Sequence, residues 1–178
     1  MKKVLLKSIL CIMNVILAKP ALAQSHQLIG SWRLIAADKI LPDGKQVADY
    51  GSAPHGIAIF TTDGHYVVEI FGTERMKFAT TERGKGTPEE YKNAVLNQSC
   101  HFGTYSIDSI KGTITFNIDR GTYPNQDQTL QVRPFTLKGD TLSWRVPARP
   151  DGSIPVSVFT RIRTQVPLHH QGVQGVMY

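Results

Sequence analysis

Leu28-Ile29-Gly30-Ser31-Trp32-Arg33-Leu34 is the stretch on which the fold of this chain turns. It sets a Gly-x-Trp triplet at the head of an apolar segment. A glycine there allows close backbone approach or an unusual backbone angle, and an indole two positions on can plug the end of a barrel while its N–H reaches a backbone acceptor. The triplet is short, so its meaning depends on the sequence around it.

What precedes it is of another kind. Lys2, Lys3 and Lys7 make a positive start, Val4 to Leu17 is mainly apolar, and Ala21-Leu22-Ala23 is a small-x-small site before Gln24. These features predict a secretory signal peptide over residues 1–23, cleaved after Ala23. The apolar run contains Ser8 and Asn14, ends in Pro20, and falls short of the roughly 20 residues a spanning helix needs. No membrane span is expected after cleavage, and the expected location is periplasmic or secreted. Cleavage removes four lysines and no acid, which takes the formal net charge from +6 to +2. The remaining charges of both signs are interspersed, without a basic stripe and its aromatics, so a nucleic-acid partner is not expected.

Residues 24–163 are one domain's worth of chain, long enough to bury about two thirds of its unfolded surface. Residues 164–178, with Pro167 and few anchors, read as a flexible tail. The mature part keeps a single cysteine, Cys100, which excludes an internal disulfide and reads as a small buried hydrophobe. His101 stands beside it, but neighbours on a strand point to opposite faces and make a poor catalytic pair.

Downstream of Leu34 the chain reads as short strands punctuated by turns. Leu28–Ala37 is the first, followed by the turn Leu41-Pro42-Asp43-Gly44. Gly56–Thr61 and His65–Phe71 flank an Asp63-Gly64 hairpin signal. His101–Ile107 and Thr113–Ile118, Thr129–Leu137 and Thr141–Val146, and finally Val156–Ile162 complete the set. Tight turns without alternating helices predict an all-β fold, an up-and-down antiparallel meander of about eight strands closing into a small barrel. One helix interrupts it between the third and fourth strands. Thr87-Pro88-Glu89-Glu90 combines an N-cap, a proline at the first helical position and a capping-box glutamate. Tyr91 and Val95 are its expected contacts with the barrel, either as a lid over one mouth or as cover for a seam.

By alternation, Trp32 and Leu34, Ile57 and Ile59, Tyr66, Val68 and Ile70, Tyr105 and Ile107, Ile114, Phe116 and Ile118, and Leu142, Trp144 and Val146 should face inward. The apolar parity of the strand Thr129–Leu137 changes between Val132 and Phe135, which predicts a bulge or sheet edge at Arg133-Pro134. Such a bulge would turn Arg133 inward as an anchor for a carboxylate or carbonyl. With His101 near a barrel mouth, the expected ligand-binding set is Tyr66, His101, Tyr105, Phe116, Arg133 and Trp144. An aromatic interior of this kind suits a small hydrophobic molecule oriented by a few polar groups.

Familiar catalytic signatures are missing. The chain contains no Gly-x-Ser-x-Gly elbow, phosphate loop, dinucleotide fingerprint or His-Glu-x-x-His. His55 and His101 are rim candidates for acid–base work, and His169-His170 is a weak metal pair in the tail. No cofactor and no metal site are expected, and no catalytic residue is assigned.

The order and spacing of the blocks resemble the lipocalin-like domain family, common in bacteria and found among fungal biosynthetic enzymes. The likeness is carried by Leu28 to Leu34, Gly56 to Phe60 with Thr62-Asp63-Gly64, Phe102 to Tyr105, Gly121 to Asn125, Gln131-Val132-Arg133 and Leu137 to Leu142. The resemblance implies a barrel with a central cavity. The histidines often seen in the family's equivalent of Thr115-Phe116-Asn117-Ile118 are not present here. By similarity to lipocalins, Arg161 is the candidate to stack on Trp32, which requires either that the face shared by Ser157 and Phe159 be the inner one or a local twist. Three functions follow: an exported binding protein for a small hydrophobic ligand, a cofactor-independent isomerase or cyclase using Tyr105, His101 and Arg133, and an envelope interaction protein with a filled barrel.

Overall fold

The computed structural model describes residues 27–163; the predicted signal peptide and the predicted tail with His169 and His170 lie outside them. Nine antiparallel strands follow one another: β1 (Gly30–Ile40), β2 (Gln46–Ala48), β3 (His55–Phe60), β4 (His65–Phe71), β5 (Gln98–Asp108), β6 (Thr113–Gly121), β7 (Thr129–Lys138), β8 (Thr141–Arg145) and β9 (Ile154–Arg161). The sheet order is β2-β1-β3-β4-β5-β6-β7-β8-β9, and β1 also pairs with β9. That last pairing closes a barrel of eight strands. β1 has room for three partners because Gly30–Arg33 lies along β3 and Asp38–Ile40 along β2, while its other edge follows β9.

The helix α1 (Pro88–Leu96) follows β4 and precedes β5. The expectation that it lies between the third and fourth strands is corrected by β2, which the sequence reading passed over as turn and loop. A three-residue strand carries no periodicity of its own, and it forms only because the turn after Ile40 returns it to β1. α1 starts as its sequence predicts. Thr87 Oγ1 accepts from the Glu90 N–H while the Glu90 carboxylate accepts from the Thr87 N–H at 2.7 Å, and Pro88 occupies the first turn. Tyr91 does not pack on the barrel. Its ring lies 5.2 Å from that of Phe78, and its hydroxyl donates to Arg83 O and accepts from the Gly86 N–H, so it pins the loop before the helix instead.

One of the expected strand faces is reversed. In β3 the buried residues are Ala58 and Phe60, and Ile57 and Ile59 are the outer pair. β3 is apolar on both faces, so alternation cannot orient it. The register does, because paired residues share a face and Ala58 is paired with buried Trp32. In β7 the predicted bulge does not occur. Its pairing with β6 is unbroken from Ile118↔Thr129 to Thr113↔Pro134, and the inner residues are Gln131, Arg133, Phe135 and Leu137. Leu130 and Val132 point outward, 69% and 53% exposed. Pro134 sits where pairing with β6 ends and pairing with β8 begins at Phe135↔Trp144, so its missing N–H breaks no ladder.

Bulges occur elsewhere. An extra residue, Ile35, separates Leu34↔Phe159 from Ala36↔Val158 and shifts the buried parity of β1 from Trp32 and Leu34 to Ala37. A second separates Phe102↔Arg120 from Gly103↔Ile118. Gly103 has no room for a side chain there, since a Cβ would stand 2.0 Å from Asn117 O.

Trp32 plugs one end of the barrel, as the opening triplet suggests. Gly30 turns the chain into β1 at φ +121°, a conformation side chains rarely adopt. The indole N–H of Trp32 donates to Leu28 O at 2.8 Å, and the Arg161 guanidinium stacks 4.0 Å above the ring while donating to Ile29 O and Gln27 O. The inner face of β9 is therefore that of Ser157, Phe159 and Arg161, with Val156 and Val158 outside. Above this plug, Phe60, Phe116, Trp144 and Phe159 fill the barrel, with Trp144 and Phe159 centroids 4.5 Å apart. No helix of the described residues is long and apolar enough to cross a membrane.

Candidate functional site

The aromatic filling stops about halfway along the barrel. Beyond it, under α1, lies a cavity of about 720 Å³. Its wall is made by the inner faces of β4 and β9 and by the β8–β9 loop, with Val68, Ile70, Val146 and Pro155, and its rim by Val95 and Leu96 of α1. Val95 and Leu96 are 46% and 67% exposed, an apolar lip around the opening. Only the last turn of α1 reaches this opening, and the helix buries none of its residues.

Polar groups gather on the cavity floor. His101 is buried because β5 places it on the inner parity with Gly103, and Arg133 because β7 places it opposite buried Ile114. Arg133 Nη2 donates to His101 Nε2 at 3.2 Å and to Gln131 Oε1 at 2.7 Å. Its guanidinium lies over the face of Phe116 at 4.7 Å and 6.0 Å from the Trp144 ring. A guanidinium only donates, so His101 Nε2 accepts, and the neutral imidazole carries its proton on Nδ1 and donates to Tyr66 Oη at 2.9 Å.

Burial governs the protonation states. It pulls His101 down to about 3, helped by the charge of Arg133, and pulls Arg133 down to about 10. It pushes the Tyr66 phenol well above its ordinary value. At neutral pH the floor therefore holds a neutral imidazole and a guanidinium cation, with a neutral phenol behind the imidazole. Two buried donors have no acceptor among the described residues, Arg133 Nε and Trp144 Nε1. At the rim Asp49 forms a two-point ion pair with Arg149, at 3.0 and 2.6 Å, and a third contact with Lys39 at 3.2 Å.

Of the expected site residues, His101 and Arg133 line the cavity, while Tyr66, Phe116 and Trp144 pack behind them in the core without lining it. Tyr105 is not among them. It lies toward the plugged end, its ring 5.0 Å from Phe60 and its hydroxyl donating to Thr61 O. The trio Tyr105, His101 and Arg133 named for proton transfer is thus not assembled, and both nitrogens of His101 are occupied by protein partners. His55 is exposed at the start of β3. Cys100 is on the outer parity of β5, and burial pushes its thiol up. Among the described residues no group of three metal-ligating side chains forms.

Sequence reasoning missed Gln131, Tyr50, Asp49, Arg149 and Leu96. Gln131 shares the parity of Arg133 and was open to discovery by it. The others reach the site from loops and a helix end, and Asp49 meets Arg149 across 100 residues of chain.

The family model of the lipocalin-like domain matches residues 29–163. The chain belongs to the lipocalin-like domain family. The match spans the whole lipocalin-like barrel from the Trp32 plug to the end of β9, and so covers both the closed end and the cavity. No curated protein matches the chain.

Proposed function

We propose that this lipocalin-like protein is an exported binding protein for a small, mainly hydrophobic molecule, held in the barrel cavity beneath α1. The observation that carries the reading is the cavity itself, about 720 Å³ in a barrel otherwise packed with aromatic rings. Its size falls in the range of small-molecule sites, and its lining combines an apolar wall with a few convergent polar groups. Each methylene of a ligand moved from water onto Val68, Ile70 and Val146 contributes about 0.8 kcal/mol. The filled-barrel alternative has less support, since it leaves this volume unused. Export is supported by the signal-peptide features of residues 1–23, and a mature chain starting at Gln24 is the expected N-terminus.

Native mass spectrometry of freshly purified protein, together with titration by the neutral fluorophore N-phenylnaphthylamine, tests the reading. A co-purified small-molecule adduct or saturable, displaceable fluorescence is expected, with the N-terminal residue read as Gln24. The absence of both an adduct and saturable fluorescence would overturn it.

A further inference from the structure

Arg133 is 4% exposed and lines the cavity, yet no carboxylate pairs with it among the described residues. A guanidinium has five N–H donors. The contacts to His101 and Gln131 use Nη2, and Nε has no acceptor. The remaining neighbours are the faces of Phe116 and Trp144, which attract a cation but do not neutralise it. A buried charge without a counter-charge is costly unless something supplies one. Asp49, the acid in the cavity lining, cannot, because Arg149 and Lys39 already hold it at the rim. The cavity therefore has an excess of positive charge at its floor.

We infer that the ligand is an amphiphile with a monoanionic carboxylate head, which enters head first and pairs with Arg133 while its apolar body lies along Val68, Ile70 and Val146 toward the lip of Val95 and Leu96. This rests on the binding reading above. The head is placed by the free donors of Arg133, and it is a monoanion because one cation, beside a neutral His101 and a neutral Tyr66, balances one charge. A dianion would bring an unmatched charge against Phe116 and Trp144. His101 and Gln131 act as positioning residues: they hold Nη2 and so leave Nη1 to the ligand.

The test compares dansylaminoundecanoic acid with its methyl ester, which differ in the charge of the head. The acid is expected to bind the wild-type protein about ten- to a hundredfold more tightly than the ester, the scale of a charge-assisted hydrogen bond. In Arg133→Gln the preference for acid over ester should disappear. Arg133→Lys, which keeps the charge without the planar fork, should retain part of the preference and serves if the glutamine variant does not fold. Equal binding of acid and ester to wild type, or an acid preference that survives Arg133→Gln, overturns this inference and leaves the binding reading standing. Failure of acid, ester and N-phenylnaphthylamine alike to bind overturns both.

Discussion

His101 shows how a single residue takes its chemistry from its surroundings. Burial, with the charge of Arg133 behind it, holds its folded-state pKa at about 3, against an ordinary value of 6.5. The unfolded chain thus takes a proton that the folded chain refuses. The stability this contributes is fully present above pH 6.5 and is lost as the pH falls from 6.5 toward 3, with a limiting slope of about 1.4 kcal/mol per pH unit. Asp49 is pulled up by burial but held low overall by its bonds to Arg149 and Lys39, so its own loss begins only in the carboxylate range. Urea unfolding between pH 6.5 and 5 therefore isolates His101: the wild-type midpoint should drop steadily across that window, and His101→Gln should flatten the drop. An equal slope in the variant would contradict this assignment. The sequence reading put His101 at a barrel rim, whereas β5 starts three residues earlier and carries it to the buried cavity floor, and its tautomer follows from Arg133 on one side and Tyr66 on the other.

At the scale of elements, α1 and the barrel draw their stability from different sources. α1 buries none of its residues, so its order depends on local devices: the Thr87–Glu90 capping box, Pro88 and the Tyr91 tether to Arg83 and Gly86. Thr87→Ala should cost about 1 kcal/mol, confined to the helix. Hydrogen exchange should show faster opening of Pro88–Leu96 and a faster ligand off-rate, with the thermal midpoint of the barrel within a degree or so of wild type. A large fall in that midpoint would mean that α1 is part of the barrel's cooperative unit. The start of α1 was legible in its sequence because capping is a local interaction. The faces of β3 and β7 were not, because both strands carry apolar residues on each side: Ile57 and Ile59 against Ala58 and Phe60, Leu130 and Val132 against Phe135 and Leu137. Where alternation is ambiguous, the neighbouring strand decides.

At the scale of the whole molecule the barrel divides into a structural end and a functional end. Trp32, buried under Arg161 and tied to Leu28, closes the first, and the aromatic layer of Phe60, Phe116, Trp144 and Phe159 separates it from the cavity. Trp32→Ala should therefore destabilise the protein by about 3–5 kcal/mol in denaturant unfolding. Under conditions where the variant remains folded, its affinity for N-phenylnaphthylamine should stay within about threefold of wild type, because no cavity residue touches the plug. A parallel collapse of affinity would show that the two ends are coupled.

The chain's own order of residues determined the strands, their hairpins, the helix start, the Gly30–Trp32 plug and the membership of Tyr66, Phe116 and Trp144 in the interior. These depend on neighbours a few residues apart, where propensity, turn chemistry and alternation act. Only the tertiary structure decided that the barrel is filled at one end and hollow at the other, that Arg133 turns inward on an unbroken strand, and that it does so without a counter-charge. Those outcomes depend on which residues distant strands bring face to face: Ile114 opposite Arg133, His101 beside it from β5, and Asp49 drawn away to Arg149. Register and closure set such pairings, and neither is written in any one segment.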